Sequence, residues 1–197
     1  MNVFYLDPDP IICAQEHNDK HVVKMLVEYA QLMSTAHRVI DGTMWYGRTI
    51  NGRRISRYFL EDGEMNDALY KASHINHPSN IWVRSSAENY EWLYSMWAEL
   101  SNEYTHRYGK LHKSFSDLEL CLLIPPTNIN YTIPFTEPPP AMQAFPECIV
   151  KDNSVESYRN YYWEAKKDFS KWTKRDKPEW WNERERIETE TPISLEG

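Results

Sequence analysis

From about Ile11 or Ile12 to Ile40 the chain carries a helical pattern whose apolar side is too wide for a surface helix. At about 100° per residue, Val22, Val23, Met25, Leu26, Val27, Tyr29, Ala30, Leu32, Met33 and Ala36 cover most of the circumference. Asp41-Gly42 closes the helix with a glycine stop. Such a helix is largely buried, and the rest of the chain must pack around it. What remains is a narrow stripe in which His17, His21, Lys24, Glu28, Gln31 and Thr35 fall within roughly 80° of arc. A solvated face mixes Lys, Glu, Ser and Gln freely. This one gathers side chains that titrate or coordinate, which makes it the leading site candidate.

The other segments supply the packing. With 197 residues and 41% apolar content, the chain is long enough for one compact helical domain over residues 1–181, and two full domains would be cramped. Val3-Phe4-Tyr5-Leu6 reads as a strand or an extended anchor, turned by Asp7-Pro8-Asp9-Pro10. Asn51-Gly52, set between residues of strand type, predicts a tight β-hairpin that brings Arg53, Arg54 and Arg57 together as the chain's basic cluster. That cluster is either a solvated tip or a phosphate contact. A short helix from Glu64 to Ser73 and a long one from Ala87 to Tyr108 follow, the second with Tyr90, Leu93, Trp97, Leu100, Tyr104 and Tyr108 on one face. Residues 118–150 are proline-rich yet too apolar for a free linker, so an ordered strap lying across the helices is expected. Asn153-x-x-Glu156 resembles a capping box opening a last helix. Residues 182–197 are charged and expected to be a disordered tail.

Composition narrows the function classes. A net charge of −7 speaks against holding extensive duplex DNA by phosphate neutralisation, though it leaves nucleotides open. Cys13, Cys121 and Cys148 are odd in number and widely spaced, which indicates neither a disulfide framework nor a zinc knuckle and fits a reducing cytoplasm. No leader pattern or membrane-length apolar run is present, and no cofactor is implied.

Three constellations carry chemistry. Lys24 and Glu28 form an i,i+4 pair in the weaker Lys-first order. Helix stability is thus a poor reason for it, and an amine beside a carboxylate suits nucleophilic or acid–base work; a partly buried ion pair is the plainer alternative. His17 and His21, one turn apart, could carry protons, or could share a metal if Asp19, His77, His106 or His112 completed the set; no metal site is assigned. The second constellation is His77, Asn80, Trp82 and Arg84 with Asn89 and Tyr90. There a loop entering a helix offers free N–H groups to a phosphate, Arg84 adds a forked donor, and Trp82 either stacks on a base or is core. In the third, Glu103, His106 and Arg107 read mainly as an ion-paired surface; with Asp19 and Gln31 they are supporting residues.

The opening Met1 to Pro10, the Asp19-Lys20-His21-Val22-Val23-Lys24-Met25 segment, His77-Pro78 to Arg84 and Arg159-Asn160-Tyr161-Tyr162 together resemble small proteins encoded by tailed bacteriophages, over most of residues 1–181. A fainter resemblance is to the phage pyrimidine-dimer DNA glycosylases. It lies in a short N-terminal anchor, a first helix with a histidine and a carboxylate, a proline-containing segment before a long second helix, and an aromatic ending. That resemblance implies a compact helical fold and N-glycosidic chemistry, with an amine attacking the sugar carbon and a carboxylate moving protons. In that family the amine is the one exposed when Met1 is removed before a small residue. Asn2 is larger, and retained chemistry would take its amine from Lys24 and its carboxylate from Glu28. The expected function is therefore a phage enzyme of the host cytoplasm acting on a nucleotide, nucleobase or nucleic acid, with Glu28, Lys24, His21 and His17 catalytic and Arg84 on phosphate. The alternative is a non-catalytic protein that sequesters a signalling or defence nucleotide.

Overall fold

The long helix of the sequence breaks once, at His17-Asn18. Asp9 accepts hydrogen bonds from the backbone of Ile11 and Ile12 and opens α1 (Pro10–Glu16), which starts on a proline where no N–H is needed. His17 then turns extended, and the Asn18 side chain accepts from His21 N at 2.9 Å to begin α2 (Asp19–Asp41). Asn18 has the residue type that competes for a cap, and here it does so within the polar run from Gln15 to His21. The computed structural model describes residues 1–190.

Beyond α2 come the antiparallel strands β1 (Thr43–Arg48) and β2 (Arg54–Phe59), which among the described residues pair only with each other, and α3 (Gly63–Ala68), α4 (Pro78–Val83), α5 (Ala87–Tyr108) and α6 (Lys113–Leu122). A strap without regular structure apart from a 3-10 turn at Pro146–Cys148 leads to α7 (Ser154–Lys166) and α8 (Glu179–Glu190). The fold is mainly α with a small β-hairpin, as the pattern indicates. Four boundaries move. Residues 118–122 belong to α6 rather than to the strap, the helix expected to reach Ser73 stops at Ala68, and α7 ends at Lys166 ahead of a 3-10 turn. Residues 182–190, expected as disordered tail, continue α8, because Arg184 reaches Glu156 and Asn160 and Lys167 pairs with Glu188. The expected disorder of residues 191–197 lies outside the described residues.

The core lies where α5 crosses α1 and α2. Val3 to Leu6 form no strand; they are a buried extended anchor, with Phe4 N donating to the Tyr29 hydroxyl. Trp97 on α5 donates its indole N–H to Leu26 O on α2. The strap is ordered and tied at several points: Thr127 and Asn128 donate to Asp41, Trp82 and Asn89 hold Thr136, and Ser154 and Tyr158 donate to the Pro138 and Pro139 carbonyls. Among the described residues no helix is long and apolar enough to cross a membrane.

Candidate functional site

The stripe that a single continuous helix would build divides in two. His17, the last residue of α1's turn, is fully buried: its Nδ1 lies 2.7 Å from Cys13 O and its Nε2 2.9 Å from the Tyr29 hydroxyl. A carbonyl only accepts, so Nδ1 carries the proton and Nε2 receives the tyrosine's. His21 bonds the Tyr162 hydroxyl through Nδ1 at 2.5 Å and stacks on Phe4 at 4.2 Å. Burial pushes both imidazoles down, His17 to about 4 and His21 to about 2, leaving them neutral at physiological pH. The two expected proton carriers are therefore buried among rings, each with one ring nitrogen held by a tyrosine hydroxyl. Neither aims at a metal; among the described residues no three His, Cys, Asp or Glu side chains converge as a metal-binding group.

Lys24 and Glu28 stay on the same side of α2 as His21, one and two turns further along, where that edge opens toward solvent. Lys24 is exposed, and its Nζ sits 3.0 Å from Glu28 Oε1. Glu28 is only 18% exposed, and its other oxygen lies 4.0 Å from the α-amine of Met1. The Met1 carbonyl accepts from Ser79 Oγ at 3.2 Å, which moors the start of the chain to α4. His77, the N-cap of α4, accepts from Ser79 N through Nδ1. Its imidazole is lowered first by burial, then by the Met1 amine and by His74, with Glu28 opposing. One carboxylate thus stands between two primary amines with an imidazole within electrostatic reach. Sequence reading missed the Met1 amine and His74; the signal for the first was the buried Val3–Leu6 anchor, which fixes where Met1 must lie.

The second constellation is mostly structural. Trp82 is buried against Trp92 and Phe135 and donates to Thr136 O at 2.8 Å, so no face is free to stack on a base. Asn89 donates to Trp82 O, Ser85 and Thr136 and accepts from Thr136 N, and so stitches the strap to α5. Tyr90 donates to Leu122 O and pairs with His37 Nε2 at 2.9 Å. The phosphate seat expected at the start of α5 is consequently closed by the strap and the Ser86 cap. Two members stay open to ligand chemistry. Asn80 Nδ2 donates to the Ser73 and His74 carbonyls while its buried Oδ1 lacks a partner, and Arg84 keeps a buried Nη1 without one.

The third group belongs to the frame. Burial pushes Glu103 up, but the guanidiniums of Arg175 and Arg107 outweigh it and hold the carboxyl below its usual range. Arg107 also donates to Asp19 at 2.8 Å and to Gln15 O, and His106 bonds Lys174 O. Asp19 in turn accepts from Thr173. Gln31 sits beside Glu28's edge and gives its carbonyl to Thr35.

Two adjoining clefts lie along β2. One, of about 350 Å³, runs from Trp45 to Leu69 beneath the hairpin; the other, of about 590 Å³, lies between β2 and residues 71–75 and is edged by Arg54, Arg57, Lys71 and His74. Residues 71–77 join this second cleft to the Met1–Glu28 edge. The chain matches no protein-family model, no curated protein and no solved structure.

Proposed function

We propose that the protein cleaves a sugar–base bond in a nucleotide or nucleic acid, with Glu28 as the proton carrier and an adjacent amine as the nucleophile. The observation that carries this reading is Glu28 itself, a half-sheltered carboxylate with amines 3.0 and 4.0 Å away on its two oxygens. Helix stability does not account for a Lys-first pair, and the Met1 amine is brought there from outside the helix. In the step proposed, the amine lone pair forms a bond to the sugar C1′, the C1′–N bond breaks, and its electron pair leaves with the base. The proton released by the amine passes to the Glu28 carboxylate and from it to the departing base. Opening of the sugar ring then moves the remaining N–H proton to the ring oxygen and leaves an imine. His17 and His21 take no part; His77 is the imidazole within range.

Borohydride trapping tests this reading directly. A single-stranded oligonucleotide with an abasic site is incubated with the protein and reductant, and the cross-linked peptide is mapped. Attachment at Lys24 or at the Met1 amine supports the mechanism and identifies the nucleophile. Glu28→Gln lowers the trapping rate by about 10²- to 10⁴-fold. Absence of any adduct with the folded protein, together with no release of free base from nucleotides or DNA, overturns it. A nucleotide recovered intact from the denatured protein would instead favour sequestration in the cleft beside Lys71 and His74.

A further inference from the structure

The β1–β2 ribbon departs from the charge balance of the rest of the molecule. Residues 43–59 hold Arg48, Arg53, Arg54 and Arg57 and no acid, on a chain whose net charge is −7. None of the four is among the ion pairs of the described residues: Arg48 donates to the Gly52 carbonyl at the ribbon's own tip, and the Arg54 guanidinium lies 3.5 Å from the centre of the Tyr46 ring. The register sets Arg48 directly opposite Arg54. Like charges across a strand pair destabilise it, and no carboxylate pairs with either arginine among the described residues. Side chains alternate, so Tyr46, Arg48 and Arg54 share one face, while Trp45 lies beside Arg57 on the other.

The aromatic groups are unusually open. Trp45 and Tyr46 are 54% and 56% exposed, two of five exposed rings among the 27 Phe, Tyr and Trp of the chain. Gly47 leaves the Trp45 ring room to lie along the strand, since a Cβ there would come within 3.1 Å of it. Exposed rings interleaved with unpaired guanidiniums are the surface on which bases stack while the phosphate backbone is neutralised. On the β2 side the arginines continue into the cleft with Lys71 and His74, whose backbone is held left-handed at φ 48°.

We infer that the β1–β2 ribbon is an arm that holds a single nucleic-acid strand wrapped over its β2 edge, with Arg48 and Arg54 on phosphates at one face and Arg57 on a phosphate beside a base stacked on Trp45 at the other. The arm stands on its own residues; joined to the function proposed above, it makes the substrate a polymer and leads it over His74 toward Glu28. An acidic protein partner would be served by the charges but leaves the interleaved rings without a role.

Fluorescence anisotropy with a labelled oligothymidine at low salt tests this. The full chain binds, the triple variant Arg48→Gln, Arg54→Gln, Arg57→Gln binds at least tenfold more weakly, and its salt slope falls by about 2, roughly 0.7 for each phosphate no longer neutralised. Trp45→Ala binds about tenfold more weakly without changing that slope. Circular dichroism confirms that both variants are folded, as expected for changes on a protruding ribbon. The inference is overturned if the unaltered protein fails to bind, if the triple variant binds as tightly, or if polyphosphate of equal charge competes as well as the oligonucleotide and Trp45→Ala has no effect. Strand binding with no sugar–base cleavage would uphold the arm and sink the glycosidic reading, whereas cleavage that survives loss of the arm would do the reverse.

Discussion

At the scale of single residues, the imidazoles show how far tertiary partners redirect side chains that a sequence groups together. His17 and His21 were legible as chemically loaded, but their partners are Tyr29 and Tyr162, the latter 141 residues away from His21, and no local pattern announces that pairing. The Lys24–Glu28 pair was legible because it depends only on helical spacing. Burial makes the histidines report on pH instead. His17 and His37 fall to about 4 and His21 to about 2, against about 6.5 in the unfolded chain, so the unfolded state binds more protons as pH drops below 6.5. Their contribution is present above 6.5 and is lost as pH falls toward the folded values. Glu16 runs the other way: burial raises it to about 7 against the opposing pull of Arg159, and the strain of ionising it is relieved as pH falls from 7 to 4.5. Three imidazoles outweigh one carboxyl, so thermal unfolding should show a falling Tm between pH 6.5 and 4, worth on the order of a few kcal/mol. His21→Phe should flatten that slope and still cost about 1–3 kcal/mol at neutral pH, because the Tyr162 hydroxyl loses its partner.

Among the elements, the hairpin was readable from Asn51-Gly52 and the long α5 from its aromatic spacing, since both signals are local. The break between α1 and α2 was not, because the polar run from Gln15 to His21 keeps the helical spacing of the apolar residues on either side of it, and the cap wins only once Asp19 N also reaches Lys171 O. Arg38 is the second illegible element-level feature. Its guanidinium makes five hydrogen bonds to Tyr58 O, Asn66, Leu69 O and Tyr70 O, with no carboxylate among them, and so fastens the base of the ribbon and the end of α3 to α2. Arg38→Met should cost about 3 kcal/mol in urea unfolding, since several buried carbonyls lose their donor. Hydrogen exchange should show the loss of protection concentrated in β2 and residues 66–70, whereas a uniform loss across α5 would contradict this role.

Across the whole molecule, distant segments are fastened by a charged frame rather than by the apolar core alone. Glu103 and Arg107 on α5, Gln15 in α1, Asp19 at the start of α2 and Arg175 near the end meet in one network. Glu103→Gln leaves two guanidiniums short of a carboxylate and should destabilise by about 3 kcal/mol, with a lower urea midpoint and an unchanged m-value. Asp117→Asn, which breaks an exposed pair with Lys113, should leave that midpoint where it is. Among the described residues each strand of the ribbon has one strand partner, and apart from the Tyr58 carbonyl held by Arg38 each presents an outer margin without a further strand. Such margins invite a second molecule to zip alongside, and four arginines with no acid among residues 43–59 make the approach of a second copy electrostatically unfavourable. The charge that sets Arg48 against Arg54 within one molecule thus also opposes edge-to-edge pairing between molecules.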